Sequence, residues 1–295
     1  MVSDLAVLST VDSSLAVLAP PRQTAPVVFA SPHSGNQYSP GFVAASRLDP
    51  LTLRRSEDAF IDDLFAAAPS HGAPLLKALF PRAYVDPNRE PWELDPAMFA
   101  DALPSFVNTN SPRVSAGLGT IARIVGNGAE IYRGKLSFAD ARARIEALYH
   151  PYHAKLAALL DATHARFGRC LLIDCHSMPS IGGPTDRDSG KRRADFILGD
   201  CFGSSCAPAI IDAVEAHLKA QGYAVGRNDP YAGGFVTRHY GRPQTGRHAL
   251  QIEVNRDLYM DEMRIEKNAG FATLARGIEA LIRRIAEIAQ EAPTG

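Results

Sequence analysis

The sequence predicts a single-domain α/β protein in which a mixed, mostly parallel central sheet is flanked by helices. Two observations lead to this fold class. Short apolar runs alternate along the chain with longer segments whose apolar residues recur at three- and four-residue spacing, as is typical of α/β folds. The chain is 295 residues long, which suits one large domain, and we assign residues 1–295 to it.

Composition and charge indicate a soluble protein that acts on a small molecule. Apolar residues make up 46% of the chain and charged residues 21%, as in ordinary globular proteins. The formal net charge of −1 lacks the basic excess that is typical of proteins binding nucleic acid or anionic membranes. We find neither a signal peptide nor an apolar run of about 18 residues, so we expect a cytoplasmic protein. The sequence leaves the oligomeric state open.

The first elements follow from local patterns. Residues 1–25 contain Leu-Ala-Val-Leu twice, which predicts an N-terminal extension or an edge hairpin. Residues 26–31 form an apolar run that is typical of a buried strand, and Ser56 is a suitable N-cap for a helix whose apolar positions begin at Phe60. Residues 95–118 are irregular and polar, so we expect a loop or lid there.

The second half of the chain carries the longest patterns. Helical spacing extends over 137–168, and Pro151 predicts either a kink or a break into two helices. The run that follows is apolar on both faces, which is typical of a central strand in a parallel or mixed sheet, and it ends at His176. A last helix, expected at about 262–290, closes the fold.

Two histidines end two different predicted strands. His33 follows the first apolar run and His176 ends the central one; ligands in open α/β sheets bind beyond the carboxyl ends of strands, so one shared site is expected. Two imidazoles, one carboxylate and an open position form the commonest hydrolytic zinc centre. The nearest downstream acids are Glu57 and Asp58, and we favour Asp58. Spacing alone supports equally an alternative in which both histidines are structural and the acids cap a helix.

Six sequence blocks resemble the N-formylglutamate amidohydrolase family, in chain order from about residue 26 to 262. They are Ser-Pro-His-Ser-Gly at 31–35, Asp-Pro-Asn-Arg at 86–89, Tyr-Arg-Gly-Lys-Leu at 132–136, Asp-Cys-His-Ser-Met at 174–178, Gly-Gly-Phe-Val-Thr-Arg-His-Tyr-Gly at 233–241 and Gln-Ile-Glu-Val-Asn-Arg at 251–256. The resemblance implies a fold similar to zinc carboxypeptidases and aspartoacylase. It also implies one zinc ion, with another divalent metal as the alternative, and an acidic N-acyl amino acid as substrate. The family reaction gives formate and L-glutamate, late in histidine breakdown.

The same resemblance implies the catalytic groups. His33, Asp58 and His176 would be the metal ligands. Glu253 occupies the position of the general base, which would take a proton from the water that the metal activates and pass it to the leaving amine.

Substrate binding is assigned in the same way. Asn88 and Arg89 match the pair that holds a substrate carboxylate in carboxypeptidase-like folds, where a guanidinium binds through two parallel hydrogen bonds. A dicarboxylate needs a second cation, for which we favour Arg133 and Arg238, and His239 would line the pocket or polarise the scissile carbonyl. Further candidates for the second cation are Lys135 and Arg256.

Two alternatives remain open. The acid pair and the loop at 95–118 differ from the best-known histidine-pathway members, whose corresponding helix begins Asp-Trp-His, so the substrate is alternatively another N-acyl amino acid or a small peptide. In a different class, the fold would be a binding module without catalysis that captures a dicarboxylate through its arginines. The presence of Glu253 and both histidines disfavours this second alternative.

Overall fold

A central mixed sheet organises the fold. The computed structural model describes residues 8–11, 14–183 and 186–291. The strands of the sheet are β1 (Leu8–Val11), β2 (Leu15–Ala19), β3 (Val27–Ser31), β4 (Leu75–Ala78), β5 (Cys170–Met178), β6 (Phe196–Gly199), β7 (Val225–Arg227) and β8 (Arg247–Asn255). Their order is β1-β2-β4-β3-β5-β8-β6-β7, and four of the seven pairings are parallel. The predicted α/β class with a mixed, mostly parallel sheet is therefore confirmed.

Helices cover both faces of this sheet. Those in the described ranges are α1 (Pro40–Ala45), α2 (Pro50–Leu53), α3 (Ile61–Leu64), α4 (Pro112–Ser115), α5 (Phe138–Arg144), α6 (His150–Phe167), α7 (Pro208–Ala220), α8 (Phe235–Tyr240) and α9 (Phe271–Glu291). One face of β5 packs against α6 through Leu172 and Leu156, and the other face packs toward α7 and α9 through Ile173 and Ile282. Side chains alternate along a strand, so a strand covered on both faces is buried along its length. β5 is buried throughout, and its polar residues, Asp174, His176 and Ser177, lie toward its carboxyl end.

The N-terminal segment forms the edge of the sheet. β1 pairs with β2 in antiparallel register, with Leu8 opposite Ala19, and β2 pairs with β4. This is the hairpin that the repeated Leu-Ala-Val-Leu indicated as one of two possibilities. Residues 1–7, 12 and 13 lie outside the described residues, and the assignment of 1–295 to one domain stays a prediction.

The helix that the sequence placed from Ser56 onward starts later. A 3₁₀ turn over Arg54–Ser56 ends the preceding helix, and α3 begins only at Ile61. Phe60 has a φ of 65°, a left-handed conformation that an α-helix does not accommodate. Residues 57–60 therefore form an irregular connection that ends in a turn at Ala59 and Phe60. Glu57 and Asp58 lie before this turn and do not cap the helix.

The long helical pattern at 137–168 is broken as Pro151 predicted. α5 passes into a π turn at Ile145–Tyr149, and α6 follows directly. Proline lacks the N–H that an α-helix uses at each interior position, and the wider turn accommodates the missing bond. The expected helix at 262–290 is shorter than predicted, because β9 (Met260–Asp261) and β10 (Glu266–Lys267) form a small hairpin before α9.

Residues 95–118 are irregular apart from a 3₁₀ turn at Pro96–Met98 and the single turn of α4. Their role as a loop or lid stays a prediction. Among the helices of the described ranges, none combines the length and the apolar composition that crossing a membrane requires.

Helix α9 offers a direct test of the packing. Ile282 is fully buried against the sheet, whereas its neighbour Arg283 is exposed. We expect Ile282→Ala to lower the free energy of unfolding by about 2–5 kcal/mol, because it leaves a cavity in the core. The matched control Arg283→Ala should change it by less than about 0.5 kcal/mol. Urea unfolding followed by circular dichroism measures both, and equal effects would contradict the assigned faces of α9.

Candidate metal centre and the surrounding cavity

Three adjacent parallel strands deliver side chains to one edge of the sheet. His33 lies two residues beyond β3, while β5 carries Asp174 and His176. In the register of β5 and β8, His176 lies opposite Glu253 and Asp174 lies opposite Gln251. The carboxyl ends of parallel strands are where α/β proteins bind ligands. A cavity of about 240 Å³ opens at this edge of the sheet. It is lined by His33, His176, Gln251 and Glu253, whereas Asp174 lies behind this lining.

His33, Asp58 and His176 form a buried group at the base of the cavity. Oδ2 of Asp58 lies 3.2 Å from Nδ1 of His33 and 3.0 Å from Nδ1 of His176. The three potential ligand atoms lie within 4.8 Å of one another, and each residue is at most 3% exposed. Two imidazole nitrogens and one carboxylate oxygen directed at a common point can hold a metal ion.

The structure distinguishes the two acids that the sequence left as alternatives. The backbone N–H of Asp58 donates to the carbonyl of His33 at 3.0 Å, which ties the acid to the end of β3. The Glu57 carboxylate is engaged elsewhere, since it accepts from Arg54 at 3.0 Å and from the Tyr38 hydroxyl at 2.7 Å. Asp58, and not Glu57, therefore faces the two imidazoles.

Each imidazole also has a carboxylate beside its second nitrogen. Nε2 of His33 lies 2.8 Å from Oδ1 of Asp86, and Nε2 of His176 lies 3.0 Å from Oδ1 of Asp174. Such outer carboxylates are typical of metal-ligating histidines, because they orient the ring and raise its basicity. The contact with Asp86 is a hydrogen bond, whereas Oδ1 of Asp174 contacts His176 only as an ion pair. The sequence analysis gave neither acid this role. Asp174 precedes His176 by two residues on one strand, and side chains two residues apart point to the same face of a sheet. This spacing could have indicated that Asp174 lies beside His176.

Electrostatics keep the central carboxylate ionised. Burial alone would raise the pKa of Asp58, but hydrogen bonds with His176 and His33 hold it well below its usual value. Burial likewise opposes the charge on His176, yet the Asp174 and Asp58 carboxylates raise the pKa of this imidazole well above its ordinary value. A carboxylate must be deprotonated to bind a metal, and Asp58 meets this condition.

Glu253 faces the same cavity and is held in a defined orientation. Its Oε1 accepts a hydrogen bond from Nε2 of Gln251 at 2.8 Å, and Oε1 of Gln251 accepts from the backbone N–H of Gly234 at 2.7 Å. The second hydrogen bond fixes which end of the Gln251 amide meets the glutamate. Burial raises the pKa of Glu253 to about 8, against the opposing charge of His176. A carboxyl group of this kind can exchange protons near neutral pH.

Asn88 and Arg89 also line the cavity, but both have internal partners. Oδ1 of Asn88 accepts from the backbone N–H of Val236 at 2.8 Å, and its Nδ2 lies 3.1 Å from Nε2 of His176. Arg89 donates from Nε to the Leu118 carbonyl and from Nη1 to the Asn88 carbonyl, each at 2.8 Å. Its Nη2 has no hydrogen bond within the described residues, so this edge of the guanidinium is the one available to a ligand.

The π turn and α6 hold the backbone of this segment. The Tyr149 hydroxyl donates to the carbonyl of Arg89 at 2.7 Å. Nε2 of His153 donates to the carbonyl of Pro87 at 2.8 Å, while its Nδ1 lies 2.9 Å from the Tyr240 hydroxyl. Two side chains from one helical region therefore position the chain on either side of Asn88.

The structure does not bring Arg133, Arg238 and His239 to the cavity. All three are exposed. Arg133 donates to the Ser46 carbonyl at 2.8 Å, and Arg238 donates to the carbonyl of Gly233 at 3.2 Å. The preceding residues of α8, Val236 and Thr237, are its buried ones, so the next two positions turn toward solvent. Lys135 is exposed as well, whereas Arg256 lines the cavity.

The cavity contains further polar residues that the sequence analysis did not select: Arg55, Arg82, Arg113 and Tyr231. The Tyr231 hydroxyl accepts a hydrogen bond from Nη1 of Arg193 at 3.0 Å. These residues come from irregular connections and from the short helices α2 and α4 or their ends. The residue periods of strands and helices therefore could not indicate that these side chains point into the cavity.

The fold and the site together define an α/β protein with a two-histidine, one-carboxylate group at the carboxyl edge of its sheet, an arrangement typical of metal-dependent hydrolases. The chain belongs to the N-formylglutamate amidohydrolase family, whose family model matches residues 25–260. This match confirms the resemblance carried by the six sequence blocks. The protein is accordingly an amidohydrolase.

Individual relatives match 80% or more of the chain. It is 33% identical over 274 residues to the N-formylglutamate deformylase of Pseudomonas aeruginosa, a match that covers 92% of this chain and 95% of the relative. It is 30% identical over 247 residues to the N-formylglutamate deformylase of Pseudomonas putida, covering 80% and 82%. The crystal structure of N-formylglutamate amidohydrolase from Ralstonia eutropha JMP134 is similar with a TM-score of 0.87 and 38% identity, covering 96% and 100%.

The outer carboxylates give a test of the metal centre. We expect Asp86→Asn to weaken binding of a divalent metal by about 10- to 100-fold, because His33 loses the carboxylate that orients its ring. Competition with a chromophoric chelator measures the affinity. Asp161→Asn is the control, since Asp161 pairs with Arg247 on the surface at 2.8 Å, and the metal affinity of this variant should not change. Unaltered affinity in a folded Asp86 variant would contradict the orienting role.

Proposed function

We propose that the protein hydrolyses the formyl amide of N-formyl-L-glutamate to formate and L-glutamate. The observation that carries the proposal is the meeting of His33 and His176 at one Asp58 oxygen, in a cavity where Glu253 lies opposite His176. Family membership and the names of the relatives support this substrate. A small-molecule substrate also fits the cavity volume of about 240 Å³.

We propose zinc as the metal. The residues fit it, because two Nδ1 atoms and an ionised carboxylate oxygen converge in a buried position that adjoins the cavity. His33, Asp58 and His176 would hold the ion. When bound, zinc lowers the pKa of water and polarises a carbonyl group, which is the chemistry that amide hydrolysis needs.

Glu253 is proposed to move the proton. As general base it takes a proton from the attacking water, whose oxygen forms a bond to the formyl carbon. As general acid it returns this proton to the amide nitrogen, so that the C–N bond breaks and the amine of glutamate leaves. Burial favours the protonated form that must exist between the two steps, and Gln251 keeps the carboxyl group aimed at the cavity.

Arg89 is proposed to bind the carboxylate next to the scissile amide. Its guanidinium is held rigidly by two carbonyls, and its Nη2 is 3.7 Å from Asp86, too far for a hydrogen bond. Asn88 would contact the substrate only by exchanging its bond to Val236 or its contact with His176, so its main contribution is to orient the segment. The cytoplasmic location and the place in histidine breakdown stay predictions.

Replacing the proposed base gives the sharpest test of the mechanism. We expect Glu253→Gln to lower turnover of N-formyl-L-glutamate by about 10²- to 10⁴-fold, because an amide of the same shape cannot accept the proton. Zinc content and binding of the substrate should persist. Glu266→Gln, at an exposed position in β10, is the control and should keep full activity. A rate unaffected by Glu253→Gln would remove this residue from the mechanism.

Metal removal tests the cofactor independently. Dialysis against 1,10-phenanthroline should abolish formate release, and added zinc should restore it, because the proposed ligands lose the ion that activates water. Elemental analysis of each sample monitors the metal. Full turnover by protein shown to be metal-free would contradict the metal-dependent mechanism, and faster release of acetate from N-acetyl-L-glutamate than of formate would contradict the formyl substrate.

A further inference from the structure

The cavity is lined by more cations than the proposed roles of the metal centre and of Arg89 account for. Among the described residues, five arginines line the cavity: Arg55, Arg82, Arg89, Arg113 and Arg256. A dicarboxylate needs two cations that are not already neutralised by acids of the protein. The partners of each guanidinium therefore decide which of the five remain available.

Two of these arginines are bound to acids of the site. Arg256 donates to Asp58 Oδ1 at 3.1 Å, to the Glu57 carbonyl at 2.7 Å and to Ser177 Oγ at 3.0 Å. Arg82 donates to Asp86 Oδ2 at 2.7 Å. Both guanidiniums stabilise the carboxylates around the histidines, and binding a substrate would compete with that function.

Arg55 is anchored in a different way. Its guanidinium donates to the carbonyls of Glu262 and Met263 at 2.9 and 3.2 Å, and so connects the cavity wall to the β9–β10 hairpin. Arg113 differs from the other four. It is exposed on the single turn of α4, and its side chain has neither a hydrogen bond nor an ion pair within 14–183 and 186–291.

Arg113 is also held next to Arg89. The backbone N–H of Leu118 donates to the carbonyl of Arg113 at 2.8 Å, and the carbonyl of Leu118 accepts from Nε of Arg89 at 2.8 Å. One residue thus links the two arginines through its two backbone groups. Burial lowers the pKa of Arg89, and the charge of Arg113 acts in the same direction. The Asp86 carboxylate, 3.7 Å from Nη2 of Arg89, is shared with Arg82, which it contacts at 2.7 Å, and Arg113 has no ion pair within the described residues. The cations here therefore outnumber the acids beside them, which suits a dianion.

We propose that Arg113 binds the side-chain carboxylate of the substrate and so selects acidic over neutral N-formyl amino acids. This inference rests on the proposed function, with Arg89 holding the carboxylate beside the amide. The fork of a guanidinium binds a carboxylate through two parallel hydrogen bonds, and Arg113 has all of its donors free. It replaces Arg133 and Arg238 as the second cation.

The test compares a charged substrate with its neutral isostere. In zinc-loaded protein, Arg113→Ala should lower kcat/KM for N-formyl-L-glutamate by about 10- to 100-fold, mainly through KM, as expected for a lost hydrogen bond between charged groups. For N-formyl-L-glutamine the change should stay below about twofold. Arg113→Lys should recover part of the loss, because an ammonium keeps the charge but not the fork.

Two further variants check the assignment. Arg142→Ala removes an exposed arginine that pairs with Glu146 at 3.0 Å outside the cavity, and it should leave both substrates unaffected. Arg238→Ala should cause no selective loss. Equal effects of Arg113→Ala on the two substrates, or a selective loss in the Arg238 variant instead, would overturn the proposal.

A binding measurement separates this inference from the proposed function. Calorimetry on the zinc-loaded Glu253→Gln protein, with and without Arg113→Ala, measures affinity for N-formyl-L-glutamate and N-formyl-L-glutamine without turnover. If Arg113→Ala weakens binding of N-formyl-L-glutamate selectively, the role of Arg113 is supported. This holds even if the wild-type protein does not hydrolyse N-formyl-L-glutamate, a result that would contradict only the proposed function. Hydrolysis by the wild type with binding independent of Arg113 would sink only this inference.

Discussion

A single carboxylate oxygen, Oδ2 of Asp58, faces two imidazole nitrogens in a buried position. The residues around it provide the contacts that stabilise this buried charge. A buried ion without partners costs several kcal/mol, so each polar atom of the group needs a neighbour. Arg256 and Ser177 bind the other Asp58 oxygen, each at 3.1 Å. Asp86 and Asp174 lie beside the far nitrogens of the rings. The centre is therefore a network of alternating acids and bases that reaches from β3 to β8.

The pairing of β5 with β8 sets the relation between this network and the proposed base. Nine residues of each strand pair in parallel, which places His176 opposite Glu253 and Asp174 opposite Gln251. A shift of one residue would turn Glu253 and Gln251 to the other face of the sheet, away from the cavity. The apolar neighbours Ile252 and Val254, fully buried on that other face, oppose such a shift. The core thus fixes the register, and the register fixes the chemistry.

Much of this could be predicted from the sequence, and the remainder has a common physical cause. Strand ends in an α/β sheet converge on one edge, so His33 and His176 were recognisable as partners without any contact information. On irregular segments the direction of each side chain depends on the local backbone conformation. No regular spacing in the sequence reveals that conformation. Because Phe60 has a left-handed conformation, α3 begins later than the sequence predicted. Arg238 is exposed because it lies on the solvent-facing side of α8. Arg113 lies in a stretch that indicated only a loop.

The wide turn at Ile145–Tyr149 has a consequence for what the chain tolerates. An α-helix rotates by about 100° with each residue, so a turn that holds one extra residue resets the angular phase of everything after it. In the observed phase, Tyr149 at the end of the turn and His153 after it reach the carbonyls of Arg89 and Pro87. Losing one residue here would swing the whole of α6 around its axis while leaving its composition almost intact. The number of residues in the π turn thus sets the orientation of α6. We therefore expect insertions or deletions in this turn to disturb the helix more than substitutions do.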